Sequence, residues 1–220
     1  MKNISKKTFS IILTICIAAM TMLTGCGSLQ QAPKSSAASK TESQSSNEEK
    51  SNDEEYLRVF KDYYKYFFEE QKMDLATKLT SGIYIEDDTN GDPSDERVLA
   101  DTENVFDENL SKALKGNNLG AEVKIKSFKV RNIQEYNKKG MADIKKLIKK
   151  NFSYVKASDI SDIKVLSYTC ILEGDNKNTL RLSGKATVIK EKGEWKVCPC
   201  GYNNQDVDLL TFLEEKYSNQ

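Results

Sequence analysis

Hydrophobic and polar positions change their period several times along this chain. Residues 11–23 form an apolar run, Ile11 to Leu23, without a charged side chain. Residues 27–52 then offer Leu29 as their only large apolar side chain. From Asp53 the spacing turns helical: Tyr56, Phe60, Tyr63 and Phe67, widened by Val59, Tyr66 and Phe68, predict a helix over Asp53 to Met73. A short helix follows, with Asp74 as its cap, Leu75, Ala76 and Leu79 as its apolar positions and a stop near Gly82. A third runs from Pro93 to Lys115, with Asp92 as N-cap, Gly116 past its end, and Val98, Val105, Phe106, Leu110 and Ala113 as its stripe.

Past residue 122 the period falls to two. Val123 and Ile125 alternate with Lys, and after Ser127 the apolar parity moves to Phe128 and Val130, the signature of a β-bulge. Residues 137–152 return to helical spacing through Met141, Ile144, Leu147 and Ile148. Leu166, Tyr168, Cys170 and Leu172 alternate up to a Gly174-Asp175-Asn176-Lys177 turn. Leu180, Leu182, Ala186 and Val188 alternate up to a Lys192-Gly193 turn, with Trp195 and Val197 beyond it. If Glu191 faces Glu194, then Lys190 faces Trp195 and Val188 faces Val197, which puts Leu180, Leu182, Val188, Trp195 and Val197 on one face. A last helix spans Asp206 to Tyr217. Helices followed by strands describe an α+β domain, its N-terminal helices packed on a curved, bulged antiparallel sheet.

Composition narrows the chemistry. The chain has no His, which removes Ser–His–Asp and Cys–His catalysis and imidazole metal sites. Its 33 basic and 33 acidic residues cancel, so it lacks the basic excess of a nucleic-acid binder.

Lys2, Lys6 and Lys7 ahead of the apolar run, and Leu23-Thr24-Gly25-Cys26 behind it, give residues 1–26 a secretory layout. The run is short for a bilayer span of about 20 apolar residues. Leu23-Thr24-Gly25-Cys26 resembles the lipobox of bacterial lipoproteins. That resemblance implies cleavage after Gly25, a diacylglyceryl thioether on Cys26, and a domain held at the cell membrane facing the extracytoplasmic side. Three parts follow: a signal peptide over 1–25, the lipidated Cys and a Ser-rich disordered tether over 26–52, and one α+β domain over 53–220. The 26 residues after Cys26 reach about 28 Å root-mean-square as a flexible coil. Removing the leader takes three bases and no acid, leaving the mature chain slightly acidic.

The order of elements, the aromatic first helix Glu54 to Met73 and the closing Lys192-Gly193-Glu194-Trp195-Lys196-Val197 resemble the nuclear transport factor two-like fold of uncharacterised Firmicutes lipoproteins. The resemblance implies a cone-shaped, half-open pocket, and Tyr168, Leu182 and Trp195 are the candidates to line it. Such a pocket serves relatives as enzyme site, ligand site or protein interface, so the fold leaves the activity open.

Cys170, Cys198 and Cys200 are the thiols left for the domain, and a disulfide among them remains open. Parity sets Cys198 and Cys200 off the Trp195 face and Cys170 toward the interior, two strands away, against a disulfide reach of about 7 Å between Cα atoms. Three Cys without His fall one short of a zinc site, and no metal or cofactor is expected. Glu86 to Asp92 resembles a calcium loop but places Arg97 where the bidentate carboxylate belongs, so it reads as a solvated acidic turn before a helix, with weak calcium binding as the alternative. Ser153-x-x-Lys156 and Ser161-x-x-Lys164 lack the companion motifs of penicillin-binding enzymes. Lys138, Lys139, Lys145, Lys146, Lys149 and Lys150 form a basic face opposite the apolar stripe of helix 137–152, either a solvated face or one that sits on anionic lipid or wall polymer. No catalytic constellation emerges. The expectation is a non-catalytic module binding an envelope protein or a small molecule, with a small enzyme using a carboxylate or Tyr in the cone as the alternative.

Overall fold

The aromatic repeat forms helix α1, Glu49–Tyr64, which begins four residues before Asp53, inside the segment expected to be tether. The computed structural model describes residues 49–199 and 208–218. The signal segment, Cys26 and most of the tether lie outside the described residues, as does Cys200.

The helix expected to reach Met73 stops being α-helical at Tyr64 and widens into a π-helical turn, Lys65–Glu69. The wider turn lets adjacent Phe67 and Phe68 both point into the core. Gln71, at φ +52°, then reverses the chain. Helix α2, Met73–Lys78, follows, with Lys72 at the N-cap position and Asp74 inside the first turn rather than capping it. Residues 82–89, expected to be irregular, form helix α3, Gly82–Thr89, because Ser81 caps it by accepting from the Ile83 N–H at 3.2 Å. Helix α4 is Glu96–Gly116 and starts three residues later than expected. Asp95, not Asp92, is its cap, while Asp92 accepts from the Ser94 N–H at 2.8 Å and closes the turn before it.

Four strands form one antiparallel sheet in the order β1-β2-β3-β4: β1 Val123–Glu135, β2 Ile160–Gly174, β3 Thr179–Glu191 and β4 Glu194–Cys198. The β1–β2 connection carries helix α5, Lys138–Asn151, capped by Asn137. The chain's last described element is helix α6, Leu209–Tyr217, capped by Asp208, where a helix over Asp206 to Tyr217 was expected. The bulge read near Ser127 lies between Ile125 and Ser127, and a second, unanticipated, lies between Val130 and Asn132. The last hairpin has the register read from its turn: Glu191 faces Glu194, Lys190 faces Trp195 and Val188 faces Val197. Lys192 and Gly193 at φ +51° and +88° make the two-residue turn whose twist suits a hairpin.

Helix α1 crosses one face of this sheet from β4 to β1. Tyr56 packs on Trp195 of β4 at 5.4 Å between centroids, and Phe60 packs edge-on to Tyr168 of β2 and Phe128 of β1 at 5.3 and 5.4 Å. The opposite face is covered at its β3–β4 end, where Ile163, Ile189 and Cys198 are fully buried. The outer edge of β4 is closed by the α2–α3 junction: Ser81 donates to the Val197 carbonyl, and Val197 donates to the Leu79 carbonyl, both at 2.7 Å. The other edge, β1, carries Lys124, Lys126, Lys129 and Arg131, all exposed, which suits an edge that must resist pairing with other chains.

Candidate functional site

Closing the β4 edge with the α2–α3 junction leaves a half-open cleft of about 710 Å³ beside it. Its walls come from the end of α2, the start of α3, the turn before α4, the segment 153–159 and the β3–β4 hairpin. Two carboxylates hold these walls together. Glu191, at the end of β3, accepts from the Ser81 hydroxyl with one oxygen and from the Gly82 N–H with the other at 3.0 Å. The negative charge sits at the N-terminus of α3, where the helix dipole favours it. Burial nevertheless pushes the Glu191 carboxyl above its ordinary value, and the bonds from Ser81 and Gly82 only partly offset it.

Glu86, one turn along α3, is buried and accepts from three consecutive backbone N–H groups, those of Ser153, Tyr154 and Val155, at 2.5–3.1 Å. Its neighbour Asp87 accepts from Lys216 of α6 at 2.6 Å and from the Tyr217 hydroxyl. The acidic run is therefore not a solvated turn. It is a helix whose first two acids fasten separate segments, and the oxygens of Glu86 are already occupied by N–H donors, which leaves no calcium loop.

The cleft's rim carries both signs of charge. Lys78, Lys156, Lys192 and Lys196 stand among Asp92, Asp159 and Glu194, with Ile85, Leu99 and Val155 as apolar patches. Lys196 is held, pairing with Glu194 at 3.0 Å and donating to the Lys78 carbonyl at 2.8 Å. Tyr154 stands half exposed in the wall. Thr77, 2% exposed, also lines the cleft, and its hydroxyl has no hydrogen-bond partner among the described residues. These groups can bind a polar ligand carrying both charges. They are poorly arranged for nucleophilic catalysis, since Ser81 is fully buried behind the cleft and Ser153 to Lys156 form bends rather than one helical face.

Of the residues expected to line a common cone pocket, Tyr168 and Leu182 are diagonal neighbours on β2 and β3, and Trp195 lies apart from them. Trp195 faces Lys190, eight positions along β3 from Leu182, about 26 Å at strand spacing. Trp195 is buried under Tyr56, and its indole N–H lacks a partner among the described residues. Tyr168 and Leu182 are partly buried in the core. Tyr168 accepts a 2.6 Å hydrogen bond from the Tyr64 hydroxyl, and burial raises both phenols well above the range where they could exchange protons near neutrality. Phe60, Tyr64, Phe128 and Tyr168 thus fill the α1 side of the sheet with rings.

Cys170 and Cys198 lie on strands separated by β3 and face Leu182 and Thr187 of that strand, five positions apart. That separation exceeds the reach of a disulfide between them. Burial pushes the Cys170 thiol up to about 12, so it stays protonated and unreactive. Among the described residues, no group of three His, Cys, Asp or Glu side chains is gathered to hold a metal. None of their helices is long and apolar enough to cross a membrane.

Sequence reasoning missed the cleft because its framework is α3, whose Gly82-Ile83-Tyr84-Ile85 opening reads as a helix stop followed by strand formers. The signal available was Ser81, an N-cap residue two positions ahead of the apolar run Ile83-Tyr84-Ile85. No protein family, no curated protein and no solved structure matches the chain.

Proposed function

We propose that the protein is an extracytoplasmic lipoprotein, attached to the membrane through Cys26, that carries a non-catalytic binding module. Leu23-Thr24-Gly25-Cys26, directly behind an uncharged apolar run, supports the anchor. Two acyl chains on one residue are what stable attachment requires. The sequence of helices and then a bulged sheet is compatible with a nuclear transport factor two-like arrangement.

The observation that carries the binding reading is the cleft beside Glu191. Glu191, partly buried in its lining, and Glu86, buried behind it, are spent on Ser81, Gly82 and the 153–155 backbone, while Lys156, Lys192 and Tyr154 at the rim remain available for recognition. A polar ligand or peptide segment carrying both charges fits this lining.

Native mass spectrometry of the chain secreted from a bacterial host tests it. A discrete added mass, diminished by Tyr154→Ala and Lys192→Glu, is expected. A bare protein that also binds no peptide from a library carrying both charges would remove the cleft as a binding site.

A further inference from the structure

Helix α5 lies in the β1–β2 connection with Ile144 and Ile148 fully buried, so one side of it belongs to the core. At 100° per residue its lysines form two adjacent stripes, Lys138/Lys145/Lys149 and Lys139/Lys146/Lys150, covering an arc of about 140° opposite the buried side. Asp143 is the helix's only acid, at the margin of that arc. Lys138, Lys139, Lys146, Lys149 and Lys150 are exposed and Lys145 is partly so. Among the described residues no ion pair engages Lys138, Lys139, Lys145, Lys146 or Lys149. The neighbouring helix α6 contributes Glu214 and Glu215, both exposed, and Lys216, which is already bound to Asp87.

The large hydrophobic side chains most exposed among the described residues are Ile133, 40% exposed, and Tyr154, 49% exposed. They bracket α5 in sequence, five residues before its first residue and three after its last. A helix with such a basic face has the composition of an element that lies on a charged bilayer interface.

We propose that the α5 face docks on the anionic phospholipid headgroups of the membrane that carries the protein. This rests on the anchor reading above, because only a domain held within a tether's length meets that surface at high effective concentration. The surface is electrostatic in origin, so it orients the domain reversibly rather than attaching it.

The test is vesicle co-sedimentation of the chain from residue 26 onward carrying Cys26→Ser, so that binding is measured without the lipid. The expected result is salt-sensitive binding to phosphatidylglycerol-containing vesicles and none to pure phosphatidylcholine. At about 1 kcal/mol per Lys near such a surface, the triple variant Lys145→Gln, Lys146→Gln, Lys149→Gln loses about a hundredfold in partitioning. The matching Lys→Arg triple variant retains it. Both variants keep good helix formers on a solvent face, and an unchanged melting temperature separates lost binding from lost folding. Equal binding to neutral vesicles, no binding to anionic ones, or binding only to an anionic wall polymer such as poly(glycerol phosphate) would each overturn the proposal. The anchor reading is judged separately, from the mass of the N-terminal peptide of the full chain.

Discussion

Glu191 and Ser81 are 110 residues apart in sequence, and a hydrogen bond from the Ser81 hydroxyl to the Glu191 carboxylate ties the end of β3 to the N-terminus of α3. With the Gly82 N–H on its second oxygen, Glu191 caps a helix from outside that helix. Removing the carboxylate orphans a buried hydroxyl and a helix-terminal N–H. Glu191→Ala is therefore expected to cost about 1–3 kcal/mol, measured by urea unfolding.

The same residue sets a pH dependence. The folded-state pKa of Glu191 lies above its ordinary value, so the folded protein holds that proton more tightly than the unfolded chain does. Its contribution to stability is fully present below the ordinary carboxylate range and is lost as pH rises through the folded pKa. Glu191→Gln, which keeps an acceptor for Gly82, should raise the melting temperature at pH 7 relative to the wild type and show little gain at pH 4. Equal shifts at both pH values would mean that the carboxylate is not held under a burial penalty.

Glu86 gathers three backbone N–H groups from residues 153–155. Glu86→Ala leaves them without their acceptor and is expected to cost about 2–4 kcal/mol. Hydrogen exchange supplies the local readout: amides 153–155 should lose protection first, and with them the wall that carries Tyr154.

The Tyr64–Tyr168 hydroxyl pair lies inside the aromatic cluster at 2.6 Å. Tyr64→Phe and Tyr168→Phe should each cost about 1 kcal/mol, and the double variant much less than their sum, because each single change already breaks the shared bond. Additive losses would mean that the two hydroxyls act independently.

Cys170 should resist alkylation at pH 8 in the folded protein and react fully once unfolded, as followed by peptide mass mapping. Burial holds its thiol up near 12 against an ordinary value of 9.0. The folded state therefore binds that proton more tightly, and stability should fall as pH climbs through this interval.

The elements legible in the sequence were those whose local chemistry and tertiary environment agree. Lys192-Gly193 demanded a two-residue turn, and that turn alone determined which residues face one another up to Val188 and Val197. The parity change around Ser127 revealed the first bulge for the same reason. Where two local signals competed, tertiary bonds decided. Asp92-Pro93 and Asp95 are both acceptable helix starts, and Ser94 drew Asp92 into a turn, which left the cap to Asp95. The α-helix expected through Met73 became a π-helical turn because Phe67 and Phe68 are both drawn inward.

The site was harder to read. Glu86 and Asp87 look solvated in a run of acids, and only their partners, the 153–155 backbone and α6, make them fasteners. Those partners lie more than 60 residues away, beyond any local pattern. Tyr168, Leu182 and Trp195 share a sheet face as their alternation indicated. Sharing a face does not bring Trp195 to the other two, because eight positions of β3 separate Leu182 from Trp195's partner Lys190.

Attachment through Cys26 is tested most directly by fractionating cells that express the full chain or Cys26→Ala, with a high-salt wash to strip electrostatic contacts. The wild type should stay with the membranes, and its N-terminal peptide should begin at Cys26 and carry the mass of a diacylglyceryl group. Cys26→Ala should yield no lipid-modified N-terminal peptide. An unmodified Cys26 in the wild type, or a wild-type chain that the wash strips from the membranes, would contradict a lipid-anchored protein.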